Sequence, residues 1–389
     1  MEAIGTTSMN HHIYIISYKN MKKIFTLICG CLATIGSASA QKFIHPGILH
    51  TAQKMELMRY MVEQKIEPAY GSWQLLKSNE KAQADYKMAG PFRVISRDGA
   101  FAYTKSKMES DFSAAYLNSI MWYMTKDKAH AEKSLEILSA YADSLKFIPA
   151  TNDSPLLAGL EGFKIVYAME VLRHTYDTPK KQLANIEKMF KNHFLPILER
   201  FYITPPYTNG NWGPVVTRTY MAAGIYFNDR KMYNFAKDFY LNGHDNGTIA
   251  NYIDGETGQT QESGRDQGHP QLALGAFATI CELAWQQGDD LWSLLDNRLM
   301  KGYEYMAKYN LGYDVPFRTW TDVTGKYCNW TTISERSRGK LIPIYEMALN
   351  HFFRRKGFPM PYTQEVLKKI RPEGFDRDQP SFGSLLFND

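Results

Sequence analysis

Between Thr260 and Phe277 the chain reads TQESGRDQGHPQLALGAF: Glu262, Arg265, Asp266, Gln267 and His269 fall within eight residues and then give way to an apolar helical pattern. Pro270 suits the first position of that helix, so His269 is expected at or beside the cap and Arg265 at the helix mouth. A helix start offers free N–H groups and partial positive charge, and a guanidinium alongside makes the place attractive to a carboxylate. An ion pair of Arg265 with Asp266 or Glu262 would equally serve to hold a loop together.

Three further stretches carry comparable groups. YTNGNWGPVVTRTYM sets Asn209, Asn211 and Trp212 before a helix predicted to open at Pro214 or Val215. Asn209-Gly210 reads as a turn, whereas Asn211, at a helix entrance, could donate from its amide to a carboxylate or hydroxyl. MAKYNLGYDVPFRTWTD presents Tyr309, Asn310, Tyr313, Arg318 and Trp320 where a helix passes into a loop; Tyr309 shares a helix face with Tyr305, which also fits a core position. ISERSRGKLIPIYEMALNHF supplies Arg336, Arg338 and Tyr345, with arginines that would also suit a solvated surface.

Asn, Arg, His and Tyr together have a chemical logic. β-Elimination on a uronic-acid polymer needs the C5 carboxylate neutralised so that H5 becomes acidic, a base to take H5, and an acid to protonate O4. Asn, Arg or His can neutralise, and Tyr or His can move the protons. A glycoside hydrolase would instead need two carboxylates across the bond, for which Asp254, Glu256, Glu262 and Asp266 are candidates. A sugar-binding protein would need only aromatic faces, and the chain is 14% aromatic. HExxH, EF-hand, G-x-S-x-G and phosphate-loop patterns are missing from the sequence, so no metal site and no cofactor is expected.

These groups need elements to hold them. Helical periodicity recurs along the chain, for instance in DFSAAYLNSIMWYMT, LAGLEGFKIVYAMEVLRHTY and PQLALGAFATICELAWQQG, and no strand series accompanies it. Ten or more helices joined by short turns predict an all-α, single-domain (α/α) barrel of about six or seven helical hairpins, with an open solenoid as the alternative. Segments 251–265 and 311–332 read as long loops, which in such a domain tend to be functional. MKKIFTLICGCLATIGSASA, residues 21–40, has the basic start, apolar run and Ala38-Ser39-Ala40 site of a signal peptide. Residues 1–20 then read as an over-called start and 41–389 as the mature domain, periplasmic or secreted and without membrane insertion. Cys281 and Cys328 would remain, permitting a disulfide without requiring one. Formal charge is +5, and removal of residues 1–40 takes three lysines and one glutamate to leave +3, too mild to announce nucleic acid. Nothing in the sequence sets an oligomeric state.

NGNWG, ESGRDQGHPQLALG, AKYNLGYDVPF and RSRGKLIPIYEMALNHF, in this order and spacing, resemble the alginate lyase-like group of α/α-barrel polysaccharide lyases, within which the family 38 glucuronan lyases are most similar. The resemblance covers most of residues 45–360. It implies an anionic polysaccharide substrate, carboxylate neutralisation by Asn211, charge stabilisation by Arg265, and proton transfer by His269 with Tyr309. Asn209, Trp212, Glu262, Gln267, Asn310, Tyr313, Trp320, Arg338 and Tyr345 would bind substrate, with Tyr345 as reserve tyrosine. Two positions depart from the better understood alginate lyases of the group: Trp212 follows Asn211 where a His is usual, and His269 stands at the catalytic tyrosine's place.

Overall fold

A computed structural model of the protein describes residues 42–204 and 210–388. The expected leader and the over-called start lie outside these residues, as does Asn209. From Phe43 onward the chain forms one body of helices, with two isolated β-bridges and no strand among the described residues.

Its helices are of two kinds. In α1 (Lys105–Thr125), α2 (Ser154–Thr175), α3 (Trp212–Tyr226) and α4 (Gly268–Gln286) nearly every side chain past the first turn is buried. Such all-round burial requires packed neighbours on every side, and these four form an inner row in which α1 meets α2, α2 meets α3, and α3 meets α4. Small side chains allow the approach: a Cβ on Gly159 of α2 would stand 2.8 Å from the Val215 carbonyl oxygen of α3. The helices between them bury a single stripe. Lys128–Ser144 buries Ala131, Leu135 and Leu138 against α1, and Arg230–Asn242 buries Met232, Tyr233, Ala236 and Tyr240 against α3. Lys180–Met189 continues through a π turn at Phe190–Phe194 into Leu195–Ile203, the wider turn easing past the missing N–H of Pro196.

Inner and outer helices thus alternate through five pairs, the later two being α4 with Leu294–Asn310 and Tyr345–Leu349 with Pro361–Ile370. The N-terminal helices Ala52–Glu63 and Ala69–Ser78 make a sixth pair among the described residues, and the whole is an α/α toroid. Ala69–Ser78 and Pro361–Ile370 are short helices of ten residues each, and Leu294–Asn310 begins with Leu295, Asp296 and Asn297 in left-handed conformation. The two chain ends meet to complete the ring: buried His50 bonds the Tyr167 hydroxyl and the Leu386 carbonyl, and Tyr116 donates to the Pro380 carbonyl. Cys281 and Cys328 are both free thiols, Cys281 buried in α4 beside the Tyr240 hydroxyl.

Candidate active site

Helix α4 starts at Gly268, two residues before Pro270, and its cap is supplied by the protein itself: Asp266 accepts from the backbone N–H groups of Gly268 (2.8 Å) and His269 (2.9 Å). The N–H groups of Gly268 and His269 at this helix mouth, expected to attract a carboxylate, are therefore taken by Asp266. The same carboxylate receives His269 Nδ1 at 2.6 Å. Burial alone would raise Asp266, but the hydrogen bonds and charge of His269 and the Gly268 N–H outweigh it and hold the group at about 2. With Nδ1 turned to a carboxylate, Nε2 is left for other partners and bonds to none of the described residues.

Asn211 approaches from the mouth of α3, which opens at Trp212 rather than at Pro214 or Val215. Its side chain does not cap the helix. Nδ2 donates to both oxygens of Glu262 (2.8 and 2.9 Å) and the backbone N–H donates to Oε2 (3.0 Å). Glu262, fully buried, also accepts from Tyr252 Oη (3.0 Å) and Arg265 Nη1 (2.7 Å), so the Arg265–Glu262 ion pair exists and does more than staple a loop. It orients a guanidinium and an amide from two distant segments, and Asn211 Oδ1 is buried without a hydrogen bond. The glycines of NGNWG permit this: a Cβ on Gly210 would strike the Tyr252 ring, and one on Gly213 would lie 2.7 Å from Gly247 Cα.

Asn211, Trp212, Arg265 and His269 line one cavity of about 370 Å³. Its remaining wall comes from Leu156, Leu160 and Leu272, from Asn152 and Asp153 ahead of α2, and from Arg97, Asp378, Lys326 and Tyr327. Three cations, Arg97, Arg265 and Lys326, thus line the cavity with two carboxylates, Asp153 and Asp378. Arg97 and Asp378 belong to one charge network, in which Arg97 meets the buried Glu109 (2.5 Å) and half-exposed Arg377 joins Glu109 (3.2 Å) to Asp378 (3.4 Å), and Lys164 meets buried Glu161 (3.0 Å). Burial pushes Glu161 up to about 7. A second cavity, about 430 Å³, adjoins the first through Asn152 and is lined by His193, Arg200, Phe201 and Asp245.

Several expected residues are elsewhere. Tyr309 does not line the cavity: its ring is covered by Arg338 at 4.0 Å and its hydroxyl donates to Glu335 (2.9 Å). Arg338 is spent on that contact and on the Tyr309 and Tyr313 carbonyls. Gln267 and Asn310 are buried pins between loops, Gln267 donating to the Ser263 and Ser334 carbonyls and Asn310 accepting from the Gly339 N–H. Tyr313 is exposed beside Glu365, and Trp320 lines a separate surface depression with Arg318 and Asn251. Tyr345 is wholly buried, its hydroxyl on Gln271, and burial drives its proton affinity far up. For Tyr309, Gln267, Asn310, Tyr313 and Tyr345, partners distant in the sequence, invisible to local spacing, claim the polar group. Conversely, Arg97, Asn152, Asp153 and Asp378 carried no local signal, while Lys326 and Tyr327 lie in the long loop 311–332 singled out by its length.

The sequence profile of the family described as Alginate lyase matches residues 64–315, which include Asn211, Arg265 and His269. Among solved structures, alginate lyase A1-III from Sphingomonas species A1 superposes with a TM-score of 0.64 at 12% identity, over 86% of this chain and 94% of that one. A variant of alginate lyase A1-III complexed with a tetrasaccharide gives 0.62 at 12% identity and the same coverage. An alginate lyase from Bacteroides ovatus gives 0.57 at 14% identity, over 89% and 100%. At such identities the likeness shows a common fold. No curated protein sequence matches the chain. Because the profile spans well over half of the residues, and the toroid agrees with it, the chain belongs to the alginate lyase family and is a polysaccharide lyase.

Proposed function

We propose that this lyase cleaves a 1,4-linked uronic-acid polysaccharide by β-elimination, with glucuronan as its first substrate and alginate, in its polymannuronate form, as the second. The observation that carries the reading is the sharing of one cavity by Asn211, Arg265 and a His269 whose Nδ1 is fixed on Asp266. Arg265 neutralises the C5 carboxylate, Asn211, whose amide hydrogens are given to Glu262, positions that guanidinium through the shared carboxylate, and Arg97 and Lys326 add attraction for the polyanion. His269 Nε2 removes H5, and Asp266, ionised, stabilises the imidazolium that forms. The electron pair of the C5–H bond becomes the C4–C5 double bond as the C4–O4 bond breaks. O4 takes its proton from Tyr327, the tyrosine that lines the cavity among the described residues, or from the His269 imidazolium itself. In D-glucuronate and D-mannuronate H5 and O4 lie on the same side, so groups on one wall can serve both transfers.

The hydrolase alternative is disfavoured by the state of its carboxylates. Glu262 and Asp266 have Asn211, Arg265 and His269 against them, and Asp254 is paired with Arg318. Trp212 at the cavity wall supplies a stacking face for a sugar ring. A periplasmic or secreted location follows from the leader read in residues 21–40, and no helix among the described residues is long and apolar enough to cross a membrane. The test is digestion of glucuronan, polymannuronate, polyguluronate and a neutral β-glucan while absorbance near ~235 nm is followed. Absorbance growing fastest on glucuronan is expected; faster growth on polymannuronate would reverse the substrate order, and reducing ends without absorbance would replace elimination by hydrolysis.

A further inference from the structure

At the far end of α2 from the cavity, roughly 24 Å along the helix by its rise per residue, three ligand-type side chains meet. Glu170 and His174, one turn apart on α2, face His45 from the N-terminal segment, and their ligand atoms all lie within 4.8 Å of one another. His45 Nδ1 is 2.8 Å from Glu170 Oε1, and His174 Nε2 is 3.6 Å from Oε2. The two imidazoles stack, centroids 4.9 Å apart and planes 15° from parallel.

Hydrogen bonds satisfy this group only in part. Glu170 Oε1 accepts from the Gly47 N–H (3.0 Å) and meets His45, but Oε2 is buried without a hydrogen-bond partner on a residue only 1% exposed. His45 Nε2 meets Asn228 Oδ1 at 3.1 Å, so both ring nitrogens of His45 face oxygens. With Nε2–H donating to Asn228, Nδ1 faces the carboxylate either through a proton of its own or as a free lone pair, and in the second state it and Glu170 present two ligand atoms to a cation. Arg173 does not fill that role, being committed to Glu187 and the Tyr226 carbonyl. Asn228 then has the part that outer partners play at metal sites, fixing the tautomer of a ligating histidine.

We propose that His45, Glu170 and His174 form a binding site for a divalent transition-metal ion of the zinc class. Zinc bonds of about 2.0–2.1 Å put tetrahedral neighbours roughly 3.3 Å apart, so the observed spacings need only small side-chain adjustments. Two imidazoles and a carboxylate suit zinc rather than calcium or magnesium, which favour all-oxygen sets. His174, with 27% of its side chain exposed, gives the ion a path in and leaves a fourth position for water. The site is a clip, since it joins the N-terminal segment to α2. That segment also holds α4, through Ile44 and Gln287, and the chain end, through His50 and Leu386.

The experiment takes the full chain, strips it with a chelator, and titrates zinc chloride while bound metal is counted by elemental analysis and unfolding is followed by calorimetry. One zinc per chain is expected, with a rise in Tm of roughly 4 °C at a hundredfold excess over Kd. His45→Ala and His174→Ala should each lose the bound ion and the zinc-dependent rise. Should His45→Ala fail to fold, His174→Ala alone decides, because its side chain is the more exposed. Absence of stoichiometric zinc, or equal zinc in the wild type and in His174→Ala, overturns the proposal. So does a Tm indifferent to zinc, which would leave a proton, not a metal, between His45 and Glu170.

Discussion

His269 and Asp266 act as a unit, and their separation is testable. Asp266→Asn keeps the shape but can offer Nδ1 of His269 either an oxygen or an amide N–H, so the tautomer is no longer fixed. Turnover should fall about 10²–10⁴-fold, as for the loss of an oriented general base, and His269→Ala should fall at least as far. Asp266 also links stability to pH. Its folded value of about 2 lies below the ordinary 3.8, so its contribution of about 2 kcal/mol is complete above pH ~4 and lost as pH falls toward 2. Acid unfolding of Asp266→Asn should lack that component. The tyrosines give a second contrast: Tyr327→Phe is expected to lower turnover on glucuronan by ~10-fold or more, while Tyr309→Phe, whose hydroxyl is held by Glu335, should leave it within about twofold. The reverse ranking would return proton transfer to Tyr309.

At the scale of elements, the cavity depends on two loops that meet over the helix ends. The segment carrying Lys326 and Tyr327 is tied by Asp322, which accepts from the Tyr327 N–H (2.9 Å), the Thr324 N–H (3.1 Å) and Asn246 Nδ2 (2.7 Å). Asn246 returns the contact by accepting from the Val323 N–H (3.1 Å). Gly264 lets the neighbouring loop press on Trp330, where a Cβ would collide. Asp322→Ala removes the tie without touching the helices. We expect kcat/KM to drop about 10–100-fold with faster proteolytic cutting within 320–330, while Tm changes little, because misplacement by about 1 Å is enough to cost that much rate. Unchanged kinetics would mean that the loop does not help to build the cavity.

At the scale of the molecule, the toroid carries charge in its interior at a measurable cost. Asp245, in the wall of the larger cavity, is raised to about 6 by burial, with the Gly247 N–H opposing and the Asp322 charge adding to the rise. Its folded value lies above the ordinary 3.8, so the folded state holds the proton more tightly and stability is lost as pH rises from about 4 through 6. Asp245→Asn keeps an acceptor for Gly247 and removes the charge. Its Tm should exceed that of the wild type at pH 8, by an amount reflecting up to roughly 3 kcal/mol, and match it near pH 4. An equal difference at both pH values would trace the effect to packing instead.

Helical periodicity alone determined the class of this fold, because apolar residues recur round most of an inner helix and along a single stripe of an outer one, and both patterns are written locally. The same local grammar marked Asn211, Arg265 and His269 as polar groups at helix mouths, and in a toroid the helix ends on one rim share a cavity. The sequence could not say which polar groups would be claimed by neighbours from distant segments. Tyr345, Gln267 and Asn310 are taken by Gln271, Ser334 and Gly339, and the pinning of Tyr309 by Arg338 depends on a turn 29 residues on. Nor could it bring Arg97, Tyr327 and Asp378 to one wall, or His45 to Glu170 across 125 residues. Those meetings arise from ring closure, in which contacts between the chain's two ends are set by the packing of the whole rather than by any stretch within it.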